Sequence, residues 1–151
     1  MSSPTASATS HEPIRYEVVT PTGRVSSGEC TMVVAPAVHG EVGIMKDHTP
    51  YLAALSTGVL RIKHGEVSEK IFISNGFIEA IDNKVIVLAE VAEKSDEIDV
   101  ARAQESLDRA KKRLVVGHGA ADVHEPVDRL RAPRAANRSA QRLKASEKSP
   151  T

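Results

Sequence analysis

The sequence predicts a mainly β protein with a helical appendage: an N-terminal β-sandwich or flattened barrel, then a C-terminal two-helix antiparallel hairpin. Three observations predict it. Short strand-like runs separated by turn residues recur at roughly ten-residue spacing from Ile14 to Val91. The apolar period then changes from that of a strand to that of a helix at Ile98–Ala103. A second helix-forming stretch follows Gly117-His118-Gly119. The expected organisation is a disordered leader at 1–13, a sandwich at 14–92, a helical hairpin at 93–147 and a short tail at 148–151.

Ile14 to Val19 opens the sandwich and ends at the turn cluster Thr20-Pro21-Thr22-Gly23. Glu29 to Ala35 reads as one β-branched, apolar strand stopped by Pro36. Leu60-Arg61-Ile62-Lys63 alternates apolar and charged residues, as a half-buried strand does, and His64-Gly65-Glu66 turns the chain back into Val67–Ile73. Asn75-Gly76 and Asp82-Asn83 are further tight-turn signals. Val85–Leu88 is unbroken aliphatic, the pattern of a strand buried on both faces.

Val100, Ala103, Leu107, Ala110 and Leu114 then mark the stripe of an amphipathic helix. Ser95 or Asp96 is placed to cap it. The acids Asp96, Glu97 and Asp99 lie at its start and Lys111, Lys112 and Arg113 at its end, both favourable to the helix dipole. For the second helix, Pro126 and Pro133 limit the start, and a proline in the first turn gives a span of about 132 to 147. Its apolar face (Ala136, Ala140, Leu143) is thin, and Arg131, Arg134, Arg138 and Arg142 form a basic stripe. Such a hairpin needs a surface to lie on.

Composition excludes several functions. Formal net charge is zero over 151 residues, so overall charge argues for no nucleic-acid partner. The balance is uneven: residues 1–92 carry 7 basic and 10 acidic side chains, residues 93–151 carry 13 and 10. The basic end points to an anionic partner. Cys30 is the single cysteine, so neither an internal disulfide nor a thiolate metal site can form. The leader lacks the apolar core of a secretory signal and no apolar run is long enough to span a membrane, which together predict a soluble protein of a reducing compartment. His39 and His48 lack a third ligand at a suggestive spacing, so no metal is expected. No nucleophile elbow accompanies Asp47 and His48, and there is no Walker A sequence, so the chain is expected to be no enzyme by itself.

Six segments, in order and spacing, resemble the epsilon subunit of bacterial F-type ATP synthases. They are Val18-Val19-Thr20-Pro21-Thr22-Gly23, Gly40-Glu41-Val42-Gly43-Ile44, His48-Thr49-Pro50, Ser74-Asn75-Gly76-Phe77-Ile78-Glu79, Val87-Leu88-Ala89 and Ile98-Asp99-Val100-Ala101-Arg102-Ala103. The resemblance covers about residues 14–114 well. It implies a sandwich at the foot of the central stalk, against the gamma subunit and the membrane c-ring. It also implies a hairpin that either packs on the sandwich or extends along gamma into the alpha/beta catalytic head, where it inhibits ATP hydrolysis. The implied location is peripheral, on the cytoplasmic face of the bacterial inner membrane.

By the same resemblance, Glu41 and His48 face the c-ring. Glu93, Ile98, Asp99, Arg102, Ala103 and Arg109, with Arg138 and Arg142 from the second helix, match a site where ATP binds the folded hairpin in some members. Asp99 would accept from the adenine amino group, and the arginines would meet ribose and phosphates. ATP would then be a regulatory ligand rather than a required cofactor. Two plainer readings stay open: a helix ion pair between Asp99 and Arg102, and a purely structural coupling subunit without nucleotide sensing.

Overall fold

The computed structural model describes residues 12–116 and 128–147. Residues 1–11, residues 117–127 with Gly117, Gly119 and Pro126, residues 148–151, and the side chains of Leu114 and Arg131 lie outside the described residues.

Strand β1 (Ile14–Thr20) turns inward at every second residue, burying Ile14, Tyr16, Val18 and Thr20. At its end Thr20 Oγ1 donates to the Gly23 carbonyl at 3.0 Å, and the chain returns as β2 (Gly23–Cys30). The expected strand Glu29–Ala35 is in fact two: the chain breaks at Thr31 and resumes as β3 (Met32–Ala37). At Thr31 the chain changes partner: its N–H and hydroxyl both bond the Lys63 carbonyl of the strand Gly58–His64, at 2.8 and 2.9 Å, whereas β2 pairs with β1. Pro36 does not stop β3, which runs one residue further before a two-residue turn at Val38-His39 into β4 (Gly40–Ile44).

Strands β5 (Tyr51–Leu55), β6 (Gly58–His64), β7 (Val67–Ile81) and β8 (Lys84–Lys94) complete the sheet. Gly65-Glu66 and Asp82-Asn83 are tight turns as expected, the latter with φ of 49° and 57°. Hydrogen bonds link β2-β1-β8-β7-β5-β3-β4, with β6 bonded to both β3 and β7. The centre holds a parallel pair, β1 beside β8.

Asn75-Gly76 is not a turn. It lies inside β7, where φ values of 53° and 128° kink the strand. Before the kink β7 pairs with β6; after it, with β5; β8 follows on the other side. One long kinked strand therefore serves both layers of the sandwich. Between them lies an aliphatic core that includes Val18, Val33, Leu60, Ile62, Ile71, Ile73, Ile78, Val85 and Val87. Leu88 corrects another expectation. It is 53% exposed, because this part of β8 is covered on one face only: Val85, Val87 and Ala89 turn into the core and Leu88 turns out.

Helix α1 spans Val100–Val116 and α2 spans Asp128–Ser146. The cap of α1 is Asp99, not Ser95 or Asp96: its Oδ1 accepts from the Arg102 N–H at 3.0 Å. Ser95 to Glu97 form a separate turn, with the Glu97 N–H on the Lys94 carbonyl. Ala103, Leu107 and Ala110 are buried, but Val100 is exposed. Helix α2 begins earlier than expected and carries Pro133 inside it. Its inward face is also different: Ser139 and Ala145 are buried, and Ala140 is exposed. No described helix is long and apolar enough to cross a membrane.

Candidate functional site

The hairpin is seated on the outer face of β6, β7 and β8. Register places Val59, Phe72 and Glu93 side by side across these three strands. Ile71 and Ile73 turn into the sandwich core, so Phe72 turns out. It is nevertheless fully buried, in a second small cluster with Val59, Ile98 and Ala145. Ile98 comes from the linker and Ala145 from α2, so this cluster exists only because the hairpin is down. Burying a phenylalanine is worth about 1.5–3 kcal/mol.

A charged pair closes the seat. Arg142 Nε lies 3.1 and 3.0 Å from the two Glu93 oxygens, and its Nη2 donates to Oε1 at 2.7 Å. The same guanidinium lies over the Phe72 ring, 4.7 Å from its centroid. One turn on, Lys70 Nζ donates to the Glu147 carbonyl at 2.8 Å, close to the end of α2. The Lys70 carbonyl also accepts from the Ser95 N–H at 3.1 Å, tying the linker to β7.

The structure divides the eight residues matched to a nucleotide site. Glu93 and Arg142 are brought together, but bonded to each other. Ile98 and Ala103 are buried and serve packing. Asp99 is committed through Oδ1 to its own helix, bonding the backbone of Arg102, and the alternative of a side-chain ion pair between the two is not among the described contacts. Arg102 and Arg109 are exposed on α1, and Arg138 is half-buried on α2 one turn before Arg142.

The two residues matched to the c-ring are held by different neighbours. Glu41, near the start of β4, takes a 2.7 Å ion pair with Arg61. His48 lies beyond the far end of β4, edge-on to Tyr51 at 5.7 Å between ring centroids, with Nδ1 2.7 Å from the Thr49 carbonyl. Its loop is fixed to the β7–β8 turn, because the Asp47 N–H donates to Asn83 Oδ1 at 2.7 Å.

A second surface lies past the kink in β7. Phe77 pairs directly with Leu88, and Leu52 lies diagonal to Phe77 on β5. These side chains are 56%, 53% and 72% exposed, so three large apolar groups share one uncovered face.

Sequence reasoning missed Phe72, Lys70 and Ala145. The run Ile71-Phe72-Ile73 carried the signal for Phe72: three consecutive large apolar residues in a strand require cover on both faces.

Comparison with known proteins bears on this arrangement. A family model described as the ATP synthase delta/epsilon chain β-sandwich domain matches residues 13–95. The ATP synthase epsilon chain of Syntrophomonas wolfei is 46% identical over 133 residues, covering 87% of this chain and 93% of the relative. That of Carboxydothermus hydrogenoformans is 48% identical over 101 residues, covering 67% and 75%. In fold, the chain is similar to one in the Euglena gracilis mitochondrial ATP synthase OSCP/F1/c-ring structure, with a TM-score of 0.72 at 18% identity, covering 97% of this chain and 90% of that one. It is also similar to a chain of the Tetrahymena thermophila mitochondrial ATP synthase central stalk and c-ring, with a TM-score of 0.61 at 14% identity, covering 91% and 98%.

Proposed function

The chain belongs to the ATP synthase epsilon chain family, and from that premise we propose that it is a non-catalytic central-stalk subunit joining gamma to the c-ring. In this role it couples proton flow to ATP synthesis from the cytoplasmic face of the membrane. The observation that supports the coupling role best is the uncovered face of Leu52, Phe77 and Leu88. An apolar face of this kind buries against a partner, and the hairpin, the one appendage of this chain among the described residues, sits on a different part of the sheet. We assign this face to gamma, and the Glu41 and His48 loops to the c-ring.

The proposed regulatory half follows from the hairpin. Folded on Phe72, it cannot reach the catalytic head; released, its basic second helix extends toward acidic surface there and blocks hydrolysis. ATP held by Asp99, Arg102, Arg109 and Arg138 would favour the folded form in proportion to its preference for that form. At a concentration 100 times its dissociation constant the shift is about 2.7 kcal/mol.

Two measurements test these halves. Binding of purified gamma to the full chain should weaken at least tenfold in Leu52→Asp and Phe77→Asp; unchanged affinity refutes the assignment of this face. ATP-dependent relief of inhibition, measured in the assembled enzyme, should be lost in Arg102→Ala. Persistence of relief would favour a coupling subunit whose hairpin senses no nucleotide.

A further inference from the structure

We infer that Glu93 and Arg142 form a clasp that holds the hairpin on the sandwich without any ligand, which removes Arg142 from the set of residues free to bind a nucleotide. That the hairpin moves at all rests on the regulatory reading above; the clasp itself rests on contacts within this chain.

Three features carry it. First, the contact is a fork. Arg142 offers both Nε and Nη2 to one carboxylate, at 2.7 to 3.1 Å. That geometry suits a planar guanidinium and not an ammonium. Second, the guanidinium carbon lies over the Phe72 ring, 4.7 Å from its centroid. It is therefore pre-oriented toward Glu93, which stands beside Phe72 in the strand register. Third, the pair bridges the two parts that must separate. Glu93 is on β8 and Arg142 on α2, 49 residues apart in the chain.

The consequence for a ligand is direct. A phosphate approaching Arg142 meets a guanidinium already bound by a carboxylate. It must displace Glu93 or suffer its repulsion. The resemblance assigns Glu93 and Arg142 jointly to the nucleotide; the geometry points instead to each serving the other. The folded hairpin is then the resting form of this chain, and nucleotide at Arg102, Arg109 and Arg138 adds to an equilibrium already biased downward.

Hydrogen exchange on the full chain without nucleotide tests this. Amides of α2 in the wild-type chain should be protected, and Glu93→Gln and Arg142→Gln should each speed their exchange about tenfold, the equivalent of about 1.4 kcal/mol. Arg142→Lys should also lose protection, because the charge remains and the fork does not. The exchanged pair Glu93→Arg with Arg142→Glu should recover part of it. Amides of β7 between Ile78 and Ile81 report whether each variant still folds. The proposal is overturned if α2 of the wild-type chain is unprotected until ATP is added, or if Glu93→Gln leaves exchange unchanged. A wild-type chain protected without ATP and indifferent to it would sink nucleotide sensing while leaving the clasp standing.

Discussion

Replacing Gly76 with alanine should be among the most damaging single changes in this chain. A Cβ built on Gly76 falls 1.9 Å from the Leu88 carbonyl oxygen and 2.8 Å from the Ala89 Cα. Real Cβ contacts do not come under 3.0 Å, so β8 would have to withdraw by about 1.1 Å from β7. Both obstacles are backbone atoms, and no side-chain rotation relieves them. The residue also holds φ at +128°, which a non-glycine residue adopts at a cost of about 1–3 kcal/mol. Opening the ladder there adds the loss of one or two hydrogen bonds, about 1 kcal/mol each. The sum is about 2–5 kcal/mol, its upper end exceptional for a point substitution. Leu88 belongs to the proposed gamma face, and the Phe72–Glu93 row lies four residues back along β7, so one substitution disturbs both surfaces. Urea denaturation of the purified chain gives the value. A loss under about 1 kcal/mol would refute the reasoning, since it would mean that β7 and β8 part freely at the kink.

Other outcomes follow from the same geometry. Phe72→Ala should release the hairpin while sparing the sandwich: α2 exchange should rise by at least thirtyfold, from about 2 kcal/mol of lost burial, with amides of β1 unchanged. Asp99→Ala should fray the first turn of α1 at a cost of about 1 kcal/mol, visible as lower helicity by circular dichroism without any nucleotide present. Burial pushes the Cys30 thiol up from 9.0 to about 11, so the native chain should resist alkylation near pH 8 and react only on unfolding. The sign for stability follows: above pH 9 the unfolded thiol ionises while the folded one stays protonated. Stability should therefore fall as pH rises from 9.0 to about 11, measurable by denaturation at stepped pH and smaller in Cys30→Ala, where only the buried Tyr16 hydroxyl, also pushed up, still contributes.

Much of this was legible in the sequence because local chemistry and global fold agree there. Gly65-Glu66 and Asp82-Asn83 sit between apolar runs of opposite direction and could be little but turns. The change of period at Ile98 marked the start of the helical part. Where reading failed, one local signal served two structures. Asn75-Gly76 tolerates positive φ, and a kink needs that as much as a turn does; only the partner strands β5 and β6 decide between them. Leu88 looked buried because an unbroken aliphatic run reads the same whether one face of the strand or both are covered by the chain. In α2, small residues hide the inward face, since Ser139 and Ala145 pack closely while the larger pattern suggested Ala140. At the candidate site the charges were found and their pairing was not. Glu93, Asp99, Arg102 and Arg142 all stood out, yet the structure spends Asp99 on a helix cap and Glu93 on Arg142.

The coupling role is the central claim, and ATP-driven proton pumping tests it most directly. Membranes would carry the ATP synthase assembled with either the wild-type chain or Phe77→Asp, with hydrolysis measured alongside pumping. The account predicts that Phe77→Asp lowers the protons pumped per ATP hydrolysed, because gamma is no longer held to this chain through this face. Equal pumping per ATP in the two preparations, with the variant chain confirmed in the complex, would contradict it.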